Sequence, residues 1–128
     1  MLNAIGIALS GLQTASRKAE ASANNIANMQ TPDYEPLTTA QTAQADSSGN
    51  GQGVSSRNIP KTQPFTPSYA PDSPFADNKG YVNAPNVDLA EEAVNMTLAE
   101  TTYKANIAII KTVNEMTDEM LKTFDEKA

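Results

Sequence analysis

Residues 23–36 read ANNIANMQTPDYEP. Asn24, Asn25 and Asn28 crowd what the spacing marks as the end of an amphipathic helix, and Thr31-Pro32 follows at once. Asparagine is a mediocre helix former because its short amide competes for backbone hydrogen bonds, so this crowding needs a reason. Pro32 biases Thr31 away from the helical region, and the helix has to stop there. Two roles are open for the amides. They can finish the helix end, or they can donate and accept hydrogen bonds that fix the register of tightly packed neighbours, as polar groups do in coiled coils.

Upstream, Leu2, Ile5, Leu9, Leu12, Ser16, Ala19, Ala23 and Ile26 follow a 3-4-3-4-3-4-3 spacing, a heptad seam with one polar interruption. The spacing predicts an N-terminal assembly helix over residues 1–28, ~40 Å long at ~1.5 Å per residue. Met1 to Ser16 carries no charged side chain, and Ala4, Ile7, Ala8 and Ala15 populate the other faces. A helix that avoids charge all round expects burial on more than one side.

At the other end, Asp88 and Glu91 match a capping box that opens a second assembly helix over residues 88–128. Its apolar stripe is Val94, Leu98, Ala105, Ile109, Val113, Met116, Met120 and Phe124; Glu92, Lys104, Lys111, Asp118 and Lys122 read as the solvated opposite face. Between the helices, residues 29–87 hold all eight prolines, from Pro32 to Pro85. Ala45–Ser56 (ADSSGNGQGVSS) has the composition of a flexible linker, and the prolines at 60, 64, 67, 71 and 74 favour extended geometry. Short strands fit at Tyr34–Thr39 and Tyr81–Asn83. The expectation is mainly α: two helices paired as a coiled coil, joined by an extended Pro-rich arm with room for a short hairpin and little or short β structure.

Composition narrows function by exclusion. Histidine and cysteine are absent, which removes disulfides, thiolate chemistry and the usual zinc ligands, so no metal or cofactor is expected. Gly49, Gly51 and Gly53 lie in the linker rather than between a strand and a helix, so they do not read as a phosphate loop. Glu91/Glu92 and Asp118/Glu119 are adjacent pairs that point to different helix faces, and a solvated acidic surface is the better reading than acid–base catalysis. The chain is expected not to be an enzyme. A net charge of −6, most of it beyond residue 87, argues against nucleic acid. Pro64-x-x-Pro67 and Pro71-x-x-Pro74 match polyproline ligands formally, but so short a match is common in any proline-rich arm, and a stiff strut is the better reading. No stretch approaches ~18 uninterrupted apolar residues, and the start lacks the basic region of a cleavable signal. With 5% aromatics and no tryptophan, two helices alone make a thin core, and such chains need partners.

The signature residues then resemble a known family. Asn24-Asn25-Ile26-Ala27-Asn28 followed by Thr31-Pro32-Asp33-Tyr34 resembles the N-terminal signature of bacterial flagellar basal-body rod proteins. Gly80-Tyr81-Val82, Pro85-Asn86-Val87-Asp88 and the later Tyr103, Ala105 and Asn106 resemble segments of its proximal-rod members. The resemblance implies a periplasmic drive shaft built from copies of the chain and other rod subunits. Subunits are delivered by the flagellar type III export apparatus without a cleaved signal peptide, and the inner-membrane ring or an adaptor lies below the rod. It implies an assembly interface of Leu2, Ile5, Leu9, Leu12, Ala19, Ala23, Ile26, Val94, Leu98, Ala105, Ile109, Val113, Met116 and Met120, with no small-molecule substrate. The sequence departs from the family at Asp33, where the signature has glycine; a type I turn with Pro32 at its second position is then the easier expectation. The alternatives are a soluble helical hairpin that binds a partner helix, or a paralogous rod subunit at another level.

Overall fold

A computed structural model describes residues 2–125, and the side chains of Leu2, Phe124 and Asp125 lie outside what is described. The chain runs α1 (Leu2–Ala27), β1 (Leu37–Ala45), β2 (Gly51–Pro60), β3 (Phe65–Tyr69), β4 (Tyr81–Pro85) and α2 (Leu89–Asp125). The expected arm is therefore replaced by two antiparallel ribbons, β1–β2 and β3–β4.

The first ribbon contradicts the linker reading of Ala45–Ser56. Asp46 organises a tight turn: its carboxylate accepts from the Ser48 and Asn50 amides, both at 2.9 Å, and from the Asn50 side chain at 3.0 Å. Gly49 supplies a positive φ of 82°. The strands then pair from Ala45 opposite Gly51 down to Leu37 opposite Pro60, with one irregularity at Gln44/Ala45. β2 also docks on α1, running alongside it. Ser10 Oγ accepts from the Val54 amide at 3.0 Å, the Thr14 and Ser56 hydroxyls bond each other at 3.1 Å, and Arg17 donates to the Ser56 carbonyl. A glycine- and serine-rich strand holds because a helix covers its edge.

In the second ribbon Phe65 pairs with Pro85 and Tyr69 with Tyr81, whose rings meet edge-on at 5.4 Å. Flanking bonds from the Ala70 amide to the Gly80 carbonyl and from Asn86 to Pro64 set which residues face inward. Pro67 and Pro85 then fall at outward-facing positions, where the ladder needs no donor.

The helices run antiparallel along each other. Gly11 of α1 lies against Asn106 of α2, where an added Cβ would come within 2.6 Å of the Asn106 amide. Near the opposite end Asn25 reaches Glu92. By this register the last ~10 residues of α2, about 15 Å, extend past the start of α1. The coiled-coil expectation fails because of what meets at this seam. Ala8, Thr14, Ala15, Ala21, Ser22 and Asn25 are the buried positions of α1. These are small or polar side chains, one face around from the Leu/Ile seam, so α1 offers α2 no large knobs at these positions.

The link from α1 to β1 settles the turn. The Tyr34 amide bonds the Thr31 carbonyl at 3.2 Å with Pro32 at the second position, and Asp33 has φ 61°, the one positive value among described non-glycine residues. This is the left-handed turn that glycine would favour, not the expected type I. Asp33 holds it through two bonds to β4: its amide donates to the Asn83 carbonyl at 3.0 Å, and its carboxylate accepts from Asn83 Nδ2 at 2.9 Å. Asp33→Gly should relieve backbone strain while losing one side-chain bond, leaving stability within ~0.5 kcal/mol; Asp33→Ala loses the bond and keeps the strain, costing ~1–2 kcal/mol. Urea denaturation followed by far-ultraviolet circular dichroism distinguishes the two.

Candidate assembly interface

Asn25 is fully buried and saturated. Its Nδ2 donates to the Leu37 carbonyl at 2.8 Å and to Glu92 Oε1 at 2.7 Å, while its Oδ1 accepts from the Leu37 amide at 2.7 Å and from Tyr34 Oη–H at 3.1 Å. Leu37 is an outward-facing residue of β1, so its two backbone groups lack a strand partner. The carboxamide supplies one donor and one acceptor there, as a peptide unit would. Asn25 thus stands in for one residue of a third strand and reaches α2 with its remaining hydrogen. Asn28 does the other job considered for the cluster: its Nδ2 bonds the Asn24 carbonyl at 3.0 Å and its Oδ1 accepts from Thr31 at 3.3 Å. Both finish the helix end.

Glu92 corrects a second expectation. Assigned to a solvated face, it is only 2% exposed. Lys61 Nζ stands 3.1 Å from it and 3.6 Å from Glu91. Glu91 therefore faces Lys61, and Asp88 alone caps α2, accepting from the Ala90 amide at 2.8 Å and the Glu91 amide at 3.3 Å. Burial pushes the Glu92 carboxyl up, but hydrogen bonds from Ser22, Asn25 and Lys61, with the Lys61 charge, outweigh it and hold the carboxyl below its usual range. Burial, and secondarily the Glu92 charge, raise the Tyr34 phenol. No buried side-chain nitrogen or oxygen among the described residues lacks a partner.

Around this latch the large apolar side chains face outward. On α2 the least exposed positions, Glu92, Asn95, Ala99, Asn106, Ile110, Val113 and Thr117, form one stripe on the side of α1. Rotation of 100° per residue puts Val94, Leu98, Ala105, Ile109, Met116 and Met120 on one flank of that stripe. All are exposed, Val94 by 59% and Met116 by 55%; among the described side chains of the expected stripe only Val113 turns inward. The other flank carries Met96, Tyr103, Ile107 and Leu121, also exposed. Only Tyr103 of these was singled out in the sequence, as a signature residue; the 7-4 spacing of Met96, Tyr103 and Ile107 is the signal of a second stripe. On α1, Leu9 is 49% exposed and Ala23 exposed, while Ile5, Leu12, Ala19 and Ile26 are half-buried. An open groove of about 400 Å³ lies between Ala15, Ser16 and Ala19 of α1 and Met96, Ala99 and Tyr103 of α2. The α1 seam and the second α2 flank thus border one groove.

The signature residues divide between latch and scaffold. Asn25 and Tyr34 are in the latch; Asn24, Asn28, Thr31 and Pro32 end α1, and Ile26 belongs to its seam beside exposed Ala27. Gly80 takes φ 81° where a Cβ would press Tyr69 and Pro71. Val82 and Pro85 are buried, Tyr81 and Asn86 exposed, Val87 half-buried, and Asp88 caps α2.

A family model described as "Flagella basal body rod protein" matches residues 5–34, and one described as "Flagellar basal body rod FlgEFG protein C-terminal" matches residues 78–123. The chain is 37% identical to the flagellar basal-body rod protein FlgC of Salmonella typhimurium, over 97% of this chain and 96% of that one. It is 36% identical to the FlgC of Escherichia coli O6:H1 over the same shares, and 31% identical to that of Borreliella burgdorferi over 91% and 92%.

Two predictions follow from the latch geometry. Asn25→Ala leaves the Leu37 backbone groups and Glu92 short of partners in a buried site, and should cost about 3 kcal/mol or more in urea denaturation. Because the Glu92 carboxyl is lowered on folding, its contribution is full above the unfolded value near 4.5 and is lost as pH falls through the folded value. The urea midpoint of the wild type should therefore fall on acidification more steeply than that of Glu92→Gln, which starts lower at neutral pH. Parallel acid limbs would contradict the assignment.

Proposed function

Because the chain belongs to the flagellar basal-body rod proteins and is a structural rod subunit of the basal body, we propose that it forms part of the proximal, periplasmic section of that rod. It polymerises there by helix packing and transmits torque toward the hook. One observation carries the reading: α2 presents two apolar flanks, on either side of a stripe already occupied by its own α1. A dimer needs one such face, whereas a subunit inside a tube needs several, so that contacts propagate from copy to copy.

In this reading residues 1–28 and 88–128 are the assembly helices, and residues 29–87 form the part displayed beyond them. Ile5, Leu9, Leu12, Ala19, Ala23 and Ile26 meet neighbours on one side. Val94, Leu98, Ala105, Ile109, Met116 and Met120 do so on another, while Val113 stays within the chain. Burying these side chains at roughly 25 cal/mol per Å² supplies most of the association energy. Each contact is modest, and the shaft resists shear because many must break together. Neighbours are copies of the chain and other rod subunits, with the inner-membrane ring or an adaptor below. The thin in-chain core suits delivery through the flagellar type III export apparatus as an unfolded chain without a cleaved signal. The family is structural, and no catalytic role is assigned.

Leu9→Asp and Ile109→Asp should each abolish swimming in soft agar when supplied to a strain lacking the gene, with expression unchanged on immunoblots. Normal swimming by both variants would overturn the assignment of these faces.

A further inference from the structure

Four strands present four outward-facing edges, and three of them are blocked. On β2, Ser10 takes the Val54 amide and Arg17 the Ser56 carbonyl. β3 has Pro67 at the middle outward position, without an N–H. On β4, Asp33 occupies the Asn83 carbonyl, and Pro85 has no donor. β1 differs. Asn25 fills its edge at Leu37 only. Beyond it, the outward amides and carbonyls of Thr39, Gln41 and Ala43 bond nothing among the described residues.

Nothing within that stretch protects it, and Lys18 of α1 is the one lysine that lines both grooves beside it, next to Thr39 and Gln41. Exposed edges are normally blunted by lysine, proline, inward charge or a bulge. Residues 38–43 (TTAQTA) contain no charge and no proline, and the ladder stays regular until Gln44/Ala45. Residues 41–45 are exposed throughout. The half-exposed Leu98 of α2 lines the same groove as Gln41 and offers an apolar contact beside the edge.

We propose that the β1 edge from Thr39 to Ala43 takes up an extended, uncharged segment of a different rod protein, adding a third strand to the β1–β2 ribbon. This rests on the rod reading above. Asn25 already shows the mode, since its carboxamide pairs with Leu37 as an added strand residue would. Of its described strand edges, a second copy of the chain could offer only its own β1, because the other three are blocked in the same way. Pairing β1 with β1 is two-fold symmetric and closes on itself, which a propagating shaft cannot use. The occupant is therefore a non-identical neighbour.

The test uses a strain lacking the gene. Loss of swimming in that strain and its restoration by the wild-type gene test the rod reading separately. Ala43→Pro removes one outward N–H without touching the ladder, as Pro67 does in β3; it should leave the circular dichroism spectrum of the purified protein unchanged and abolish swimming. Normal swimming overturns the proposal. Should Ala43→Pro fail to fold, a photo-crosslinker decides: benzoylphenylalanine in place of Ala43, irradiated in isolated basal bodies, with the joined peptide sequenced. A joint to an extended segment of another rod protein supports the proposal. A joint between two copies of this chain, a joint to a helix, or none overturns it.

Discussion

One buried carboxamide fixes how the parts of this chain sit together. Asn25 spends its two donors and two acceptor positions on Leu37, Tyr34 and Glu92. It thereby ties the end of α1 to the first strand, to the preceding turn and to the start of α2. A buried amide can be satisfied in very few arrangements, and each wrong one costs the desolvation of unpaired groups. An apolar side chain here would tolerate sliding. The carboxamide sets one antiparallel register, and the Gly11–Asn106 approach, some twenty ångströms away by ~1.5 Å per residue, follows from it.

That register decides what remains for neighbours. Small and polar residues face each other inside the chain, while leucines, isoleucines, methionines and a tyrosine line the flanks. The usual arrangement of a soluble monomer is thus partly reversed, which fits a subunit whose main stabilisation comes from assembly. The polar in-chain seam gives specificity without consuming the apolar surface. Exposed apolar patches of this extent mark interaction sites in general. Here their placement on either side of α2, rather than their size alone, distinguishes a lattice from a pair.

Both helices were legible from residue spacing, because a 3.6-residue period over many turns is a strong local signal, and the proline at 32 and the cap at Asp88 mark their borders. The ribbons were not. Ala45–Ser56 is poor in strand formers, and its order comes from two things that composition hides: the Asp46 carboxylate closing the turn and α1 side chains satisfying the outer edge of β2. A better local clue was Asp46 and Gly49 between two segments of similar length. Glu92 was misread for the same reason, since its burial depends on Lys61, thirty-one positions away. The Leu/Ile seam of α1 does lie along one face, but the in-chain coiled coil expected of the two helices is not formed there. Periodicity identifies a face but does not say what covers it.

A density map of the assembled rod, at side-chain detail, tests the central claim most directly. The account predicts that Asn25–Glu92 and Gly11–Asn106 persist within each subunit, while Leu9, Leu98, Ile109 and Met116 are buried against neighbouring subunits. A map in which the α1 seam of Ile5, Leu9 and Leu12 instead packs onto the same chain's α2, with Asn25 freed to bond a neighbour, would contradict it.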